Sequence, residues 1–257
     1  MDQETTNRLI EINKSFYRDF AEQFSSTRMR VQPGIQRIIA QIPENATILD
    51  IGCGNGELYL ELWRNGFRGN YTGIDFSFEM VNIARERWNT NLNKFETKKE
   101  IPVRNPIFLE RDITAGNWSL DLSSKTYNFI LVFAVLHHIP GMEVRINLMK
   151  KTHKLLHPTG FLCLSVWQFL NSSRLKKRIL PWEEVGLDNT RVDPMDYLLD
   201  WKHKGYGLRY VHHFSLAELK VLADRTGFSI INTFNSDGEG ANLGLYQSWK
   251  RKNKGTQ

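Results

Sequence analysis

The chain has 257 residues, 41% of them hydrophobic and 24% charged. These are the proportions of an ordinary globular protein with enough length for one large core, and they exclude a disordered or fibrous chain. Two cysteines, Cys53 and Cys163, give neither a disulfide framework nor a metal-ligand spacing. No apolar run is long enough to span a membrane, and the polar N-terminus is unlike a secretory signal, so a cytoplasmic protein is expected. A net charge of +6 and a pI near 9.3 are compatible with a polyanionic partner.

Residues 3 to 26 read as a helical arm, because Leu9, Ile12, Phe16, Phe20 and Phe24 recur at three- and four-residue spacing. That stripe is expected to pack in a core, with Tyr17 beside it and within reach of a ligand. Pro33 begins a second helix over 33–42. Strands and helices then alternate: strand 47–51, helix 56–65, strand 70–75, helix 77–88, strand 106–110, strand 128–133, helix 142–156 and strand 160–167. Alternation of this kind predicts a parallel sheet covered on both faces. The polar stretch 89–105 reads as a loop. Residues 168–212 read as a longer insertion, rich in charge and aromatics. Ser215 caps a helix over 215–226 that Gly227 stops, and strands near 228–234 and 243–249 follow.

The segment Ile48-Leu-Asp-Ile-Gly-Cys-Gly-Asn-Gly56 carries the chemistry. An apolar strand ends in Asp50, glycines alternate at 52, 54 and 56, and a helix follows. Glycines permit unusual backbone angles and close approach of a ligand to the main chain. Tyr71-Thr-Gly-Ile-Asp75 is a second strand ending in an acid, about 20 residues on, where a carboxylate can hold both ribose hydroxyls. Asp50 just before the glycines would repel a pyrophosphate, so the ligand is expected to carry an ammonium group. S-adenosylmethionine (SAM) has an amino group, a sulfonium and a ribose, and no phosphate.

At these residues the chain resembles the class I SAM-dependent methyltransferases. Phe108-Leu-Glu-Arg-Asp112, Tyr127-Asn-Phe-Ile-Leu-Val-Phe133 and Leu155-Leu-His-Pro-Thr-Gly-Phe-Leu-Cys-Leu-Ser165 match their later strands, with Asn128 where the family often has Asp. The resemblance implies a Rossmann-like α/β domain over residues 1–257, with a seven-stranded, mostly parallel sheet and helices on both faces. Residues 1–34 would form the arm and 168–212 a substrate cap. It implies cofactor contacts from Asp50, Gly52, Gly54, Asn55 and Gly56 in the first motif, and from Asp75, Phe76 and Met80 after the second strand. Asp112 and Ile113 would meet the adenine. Phe133, Ala134 and His138, with Tyr17 from the arm, would complete the site.

Phe16 to Arg28 followed by Pro33, Ala134-Val-Leu-His-His-Ile139, and Arg209-Tyr-Val-His-His-Phe214 with Glu218-Leu219 are similar to segments of the tRNA wobble-uridine methyltransferases. Val211 departs from a tyrosine in that pattern. Those enzymes esterify the carboxylate of 5-carboxymethyluridine, and some work with a small activating partner protein. The resemblance therefore implies tRNA as a partner. Arg28 and Arg209 are candidate clamps for an acceptor carboxylate, with surface ion pairs as the equal alternative. His137 and His138 are candidates to orient substrate, with local structural hydrogen bonding as the alternative. Trp201 and Tyr210 are candidates to stack on a base and His212 to contact substrate or RNA, with core packing or a structural role as the alternative.

Basic residues outside the expected sheet are candidates to meet RNA phosphates. They include Lys98-Lys99 and Arg104, then Arg174, Lys176, Lys177 and Arg178. Lys202, Lys204 and Arg209 follow, and the tail is Lys250 to Lys254, with a solvated end as its equal alternative. No metal is expected. The lack of an Asn/Asp-Pro-Pro-Tyr run after the fourth strand, and of a placed cysteine nucleophile, favours oxygen as acceptor. A small-molecule O-methyltransferase and a non-catalytic SAM- or RNA-binding partner protein stay open as alternatives.

Overall fold

A computed structural model describes residues 1–95, 104–203 and 205–252. Helix α1 (Gln3–Asp19) starts where the Asp2 carboxylate accepts the Thr5 amide at 2.7 Å, and it buries Leu9, Asn13 and Phe16. The arm is not one helix to residue 26 as expected. It breaks at Phe20 (φ −124°, ψ 21°) and resumes as α2 (Ala21–Ser26). The break gathers Phe20 and Phe24 around Phe16, with ring centroids 5.5 and 6.0 Å away. Helix α3 (Pro33–Ile39) is three residues shorter than expected. The amides of Gln41 and Ile42 turn back to carbonyls three residues earlier, and Pro43 prevents continuation.

The expected alternation follows: β1 (Thr47–Ile51), α4 (Glu57–Arg64), β2 (Asn70–Asp75), α5 (Phe78–Phe95), β3 (Ile107–Glu110), β4 (Tyr127–Phe133), α6 (Met142–Leu155) and β5 (Leu156–Trp167). Helix α5 runs seven residues past the expected end. Its Asn-rich last turns are poor helix formers, but Trp88 packs 5.0 Å from Tyr59 and the Asn91 amide donates to the Arg87 carbonyl. Lys98 and Lys99 lie outside the described residues. Strand β5 begins at Leu156, directly after α6, and pairs irregularly with the start of β4. Asn128, the departure noted in β4, accepts the Thr47 amide at 2.9 Å and so ties β4 to β1.

The insertion contains α7 (Ser173–Lys176), β6 (Ile179–Leu180), β7 (Asp196–Trp201) and β8 (Gly207–His212). Its strands form a small antiparallel sheet of their own. Helix α8 (Leu216–Arg225) is capped by Ser215 Oγ on the Glu218 amide. It leads to β9 (Phe228–Ser236) and β10 (Gly244–Arg251). Lys250 and Arg251, expected in a tail, are strand residues: Lys250 covers the Phe161 ring and Arg251 donates to the Leu156 carbonyl. Lys204 and Lys254 fall outside the described residues.

The main sheet has seven strands in the order β3-β2-β1-β4-β5-β10-β9, and β10 alone runs antiparallel to its neighbours. Alternate residues of β4 serve different faces. Ile130 and Val132 join a core with Leu148, Leu219 and Leu222, while Leu131 and Phe133 join one with Leu60, Val81 and Trp88. Helices thus cover both faces of a Rossmann-like sheet. The strand order reverses between β1 and β4, which puts a crevice at the C-terminal ends of those strands.

Candidate active site

That crevice holds a cavity of about 370 Å³. Its floor is the turn after β1. Gly52 and Gly54 have φ of +76° and +52°, which L side chains avoid, and a Cβ on Gly52 would lie 2.3 Å from Val135 Cγ2. The Gly54 and Ser77 amides each donate to an Asp75 carboxylate oxygen at 3.0 Å. Burial raises the Asp75 pKa against these backbone bonds. The carboxylate lines the cavity, beside Phe76 and Met80.

Two members of the expected glycine motif are not on the cavity wall. Asp50 is buried under β2 and accepts the Tyr71 hydroxyl at 2.5 Å, and burial pushes its pKa up to about 7. It is therefore not among the residues that line the cavity. Gly56 faces α5 instead, where a Cβ would come 2.9 Å from that of Ala84. Asn55 does line the cavity, and its amide reaches across to the arm. It donates to Ser25 Oγ at 2.9 Å and to the Arg28 carbonyl at 3.2 Å.

The arm forms the opposite wall. Asn13 donates to the His138 and Tyr210 carbonyls and accepts the Tyr210 amide. Lys14 pairs with Asp112 at 2.7 Å. Partial burial opposes ionisation of Asp112, but Lys14 and the bonds from Thr114 win and hold its pKa below the usual range. Asp112 and Ile113 line the cavity where β3 ends. The Tyr17 hydroxyl lies 3.2 Å from His138 Nε2, and burial raises its pKa.

Phe133, Ala134, His137 and His138 line the wall after β4. Ala134 takes a left-handed φ of +56° while its amide donates to Ser165. His138 Nδ1 faces the Tyr210 carbonyl at 3.2 Å, and the Trp167 amide donates to His137 Nδ1. Burial first, and then the Arg209 charge, lower His138 to about 3. Burial and its neighbour His138 take His137 well below its ordinary value. Both rings are neutral at physiological pH and are poor bases.

Arg209 reaches the cavity from β8 and is 5% exposed. Its guanidinium lies 5.0 Å from the Phe16 centroid and 5.6 Å from that of Trp167. Its Nε has no hydrogen-bond partner, and it forms no ion pair with a carboxylate among the described residues. Burial lowers its pKa to about 10, so it stays charged at neutral pH. Arg28 lines the cavity from the arm, exposed, 5.0 Å from the Phe24 ring.

The other expected substrate contacts do not gather here. Tyr210 has no face free for a base: it is fully buried, donates to Asp196 at 2.6 Å and accepts from Arg145 at 2.9 Å. His212, 2% exposed, is held between Asp196 and Glu218 at 2.6 and 2.8 Å. These residues fasten the insertion to α6 and α8, which explains why so many charges are buried together. Trp201 packs under the arm, 5.4 Å from Phe16 and 5.1 Å from Phe20. Lys176 at the end of α7 and Lys177 just after it are exposed, outside the cavity wall.

Sequence reasoning missed Asn13, Lys14, Ser165, Trp167, Asp237 and Tyr246, all on the cavity wall. A polar residue within the apolar stripe of the arm was a usable signal for Asn13. The β9–β10 turn, where Tyr246 donates to Asp237, carried none.

The donor set fits SAM. Asp75 keeps lone pairs for ribose hydroxyls, and the Gly52–Gly54 turn leaves room beside the main chain. Among the described residues no group of three or more His, Cys, Asp or Glu is placed to hold a metal, and no helix is long and apolar enough to cross a membrane.

Comparison with known proteins agrees. The profile of the methyltransferase-domain family matches residues 24–233. The chain is 27% identical over 151 residues to the tRNA (carboxymethyluridine(34)-5-O)-methyltransferase ALKBH8 of Mus musculus, a match covering 59% of this chain and 19% of that relative's length. A SAM-dependent methyltransferase structure from Methanosarcina mazei superposes with a TM-score of 0.63 at 22% identity, covering 86% of this chain and 98% of that one. Magnesium protoporphyrin IX methyltransferase from Synechocystis PCC 6803, solved with bound SAH, superposes with a TM-score of 0.58 at 19% identity, covering 93% and 99%. These two likenesses show the fold.

Proposed function

This chain belongs to the methyltransferase-domain family and is a SAM-dependent methyltransferase, and from that premise we propose that it methylates the carboxylate of a carboxymethylated wobble uridine in tRNA. The observation that carries the reading is Arg209. A guanidinium buried with no carboxylate in ion-pair range, Asp200 acting on it only from farther off, costs several kcal/mol unless a ligand supplies the anion. In this cavity it offers a planar fork to a carboxylate. Arg28 approaches the same field from the arm, and its charge acts on both Arg209 and His138.

SAM, when bound, supplies an electrophilic methyl group. Asp75 would hold its ribose and Asp112 its adenine edge. A carboxylate acceptor is already ionised, so the product is a methyl ester and no proton has to be removed. Neutral, weakly basic His137 and His138 suit that chemistry, since their work is to hold the turn after β4 in place. Phe16, Trp167 and the arm exclude water around Arg209, which strengthens its pull on an anion. The name of the mouse relative and the net charge of +6 support an RNA acceptor.

The test uses purified protein, radiolabelled SAM, tRNA bearing carboxymethylated wobble uridine, and a metabolite extract. Alkali-labile label in the tRNA is expected. Label in metabolites alone would replace the acceptor with a small molecule while keeping the fold and cofactor.

A further inference from the structure

We propose that Trp167 is the specificity-determining residue for the acceptor base, stacking on the pyrimidine ring whose carboxylate Arg209 holds. The inference rests on the acceptor reading above and names the group that reads the ring.

Trp167 ends β5 on the cavity wall, half-buried, at the C-terminal end of the parallel strands, where ligands of such sheets bind. Its indole is fixed from behind. The backbone amide donates to His137, and the Phe169 centroid lies 5.6 Å away. The ring itself is not tied by its polar atom. Trp249 and Trp88 lock their indole N–H groups onto Gln247 and Asn105 at 2.8 and 3.1 Å. The indole N–H of half-buried Trp167, like the buried one of Trp118, makes no hydrogen bond among the described residues. Gly244 stands opposite it in the β5–β10 pair, so no cross-strand side chain covers it.

Reach decides the rest. The Arg209 guanidinium carbon lies 5.6 Å from the indole centroid. A carboxymethyl group places its carboxyl carbon only about 2.5 Å from the ring atom that bears it. A carboxylate seated on the side of Arg209 that faces Trp167 can therefore bring its ring against the indole. A flat ring beside a carboxylate is what an indole next to a buried guanidinium can grip, and an aliphatic acid would leave the indole unused.

The experiment compares wild type with Trp167→Ala, Trp167→Leu and Trp167→Phe, on tRNA carrying carboxymethylated wobble uridine. It reads kcat, KM and SAM affinity. Base–aromatic stacking predicts a KM about tenfold higher or more for the alanine variant, with kcat little changed. Leucine keeps bulk without an aromatic face and should be as poor as alanine, whereas phenylalanine should recover most of the loss. SAM affinity should stay within about twofold throughout. Unchanged KM in the alanine variant, or equal recovery by leucine and phenylalanine, overturns the stacking role alone. Loss of SAM affinity alongside KM would make Trp167 scaffold. A wild type that labels no tRNA overturns the acceptor reading and this inference with it.

Discussion

The Tyr17 hydroxyl lies 3.2 Å from His138 Nε2, and that bond joins the N-terminal arm to the turn after β4. The other ring nitrogen faces the Tyr210 carbonyl, so Nδ1 carries the hydrogen and Nε2 accepts from Tyr17. A neutral ring satisfied on both sides has no reason to titrate near neutrality. Burial, then the Arg209 charge, push its pKa down to about 3. Single-turnover transfer should therefore vary less than about twofold between roughly pH 5.5 and 8.5. A limb near pH 6.5 that disappears in His138→Asn would show that the imidazole works as a base after all.

Asp50 makes the fold less stable as pH rises. Its folded pKa, about 7, lies above the ordinary 3.8, so the folded state holds the proton more tightly. The sign follows from linkage: stability falls as pH climbs from about 4 to about 7, by at most about 4 kcal/mol. Asp50→Asn keeps an oxygen for the Tyr71 hydroxyl and removes the buried charge. The variant should gain stability over wild type at about pH 8 and much less at about pH 5, read by urea unfolding. An equal difference at both pH values would remove Asp50 as the cause.

Asp75→Ala should weaken SAM. Two hydrogen bonds to an ionised carboxylate contribute roughly 2–4 kcal/mol, so the Kd should rise about thirtyfold or more. Because Asp75 also fixes the Gly54 and Ser77 amides, unfolding of the free protein must be measured alongside. Unchanged affinity in a folded variant would move the ribose elsewhere.

Asn13→Ala should loosen the arm. The amide serves three backbone groups, and its loss strands the buried Tyr210 N–H. The expected cost is about 2–3 kcal/mol, a Tm drop of roughly 4–12 °C for a chain of this size. A Tm within about 1 °C of wild type would mean that the aromatic packing of Phe16 holds the arm without the amide.

The strands and the glycine turn were legible because their signals are local. Apolar runs ending in Asp50 and Asp75, and glycines where φ is positive, read directly along the chain. The break at Phe20 and the added turns of α5 were not, because packing around Phe16 and Trp88 overrides propensity there. Tyr210 and His212 misled for a different reason. In sequence a run of Arg, Tyr and His looks like an exposed recognition surface, yet Arg145, Asp196 and Glu218 come from distant elements to satisfy it internally. Trp167 went unnoticed because it reads as one more apolar residue of a strand. The approach of Arg209 from β8, like that of His137 from the turn after β4, comes from a distant part of the chain.

The central claim is that Arg209 receives the acceptor carboxylate. Arg209→Gln measured for SAM binding by calorimetry, and for transfer to tRNA bearing carboxymethylated wobble uridine, tests it most directly. Removing a buried charge partner of the acceptor should lower kcat/KM by about a hundredfold or more, while SAM affinity changes by less than about twofold. Transfer that survives, or SAM binding that falls in step with transfer, would contradict the claim and return Arg209 to the scaffold.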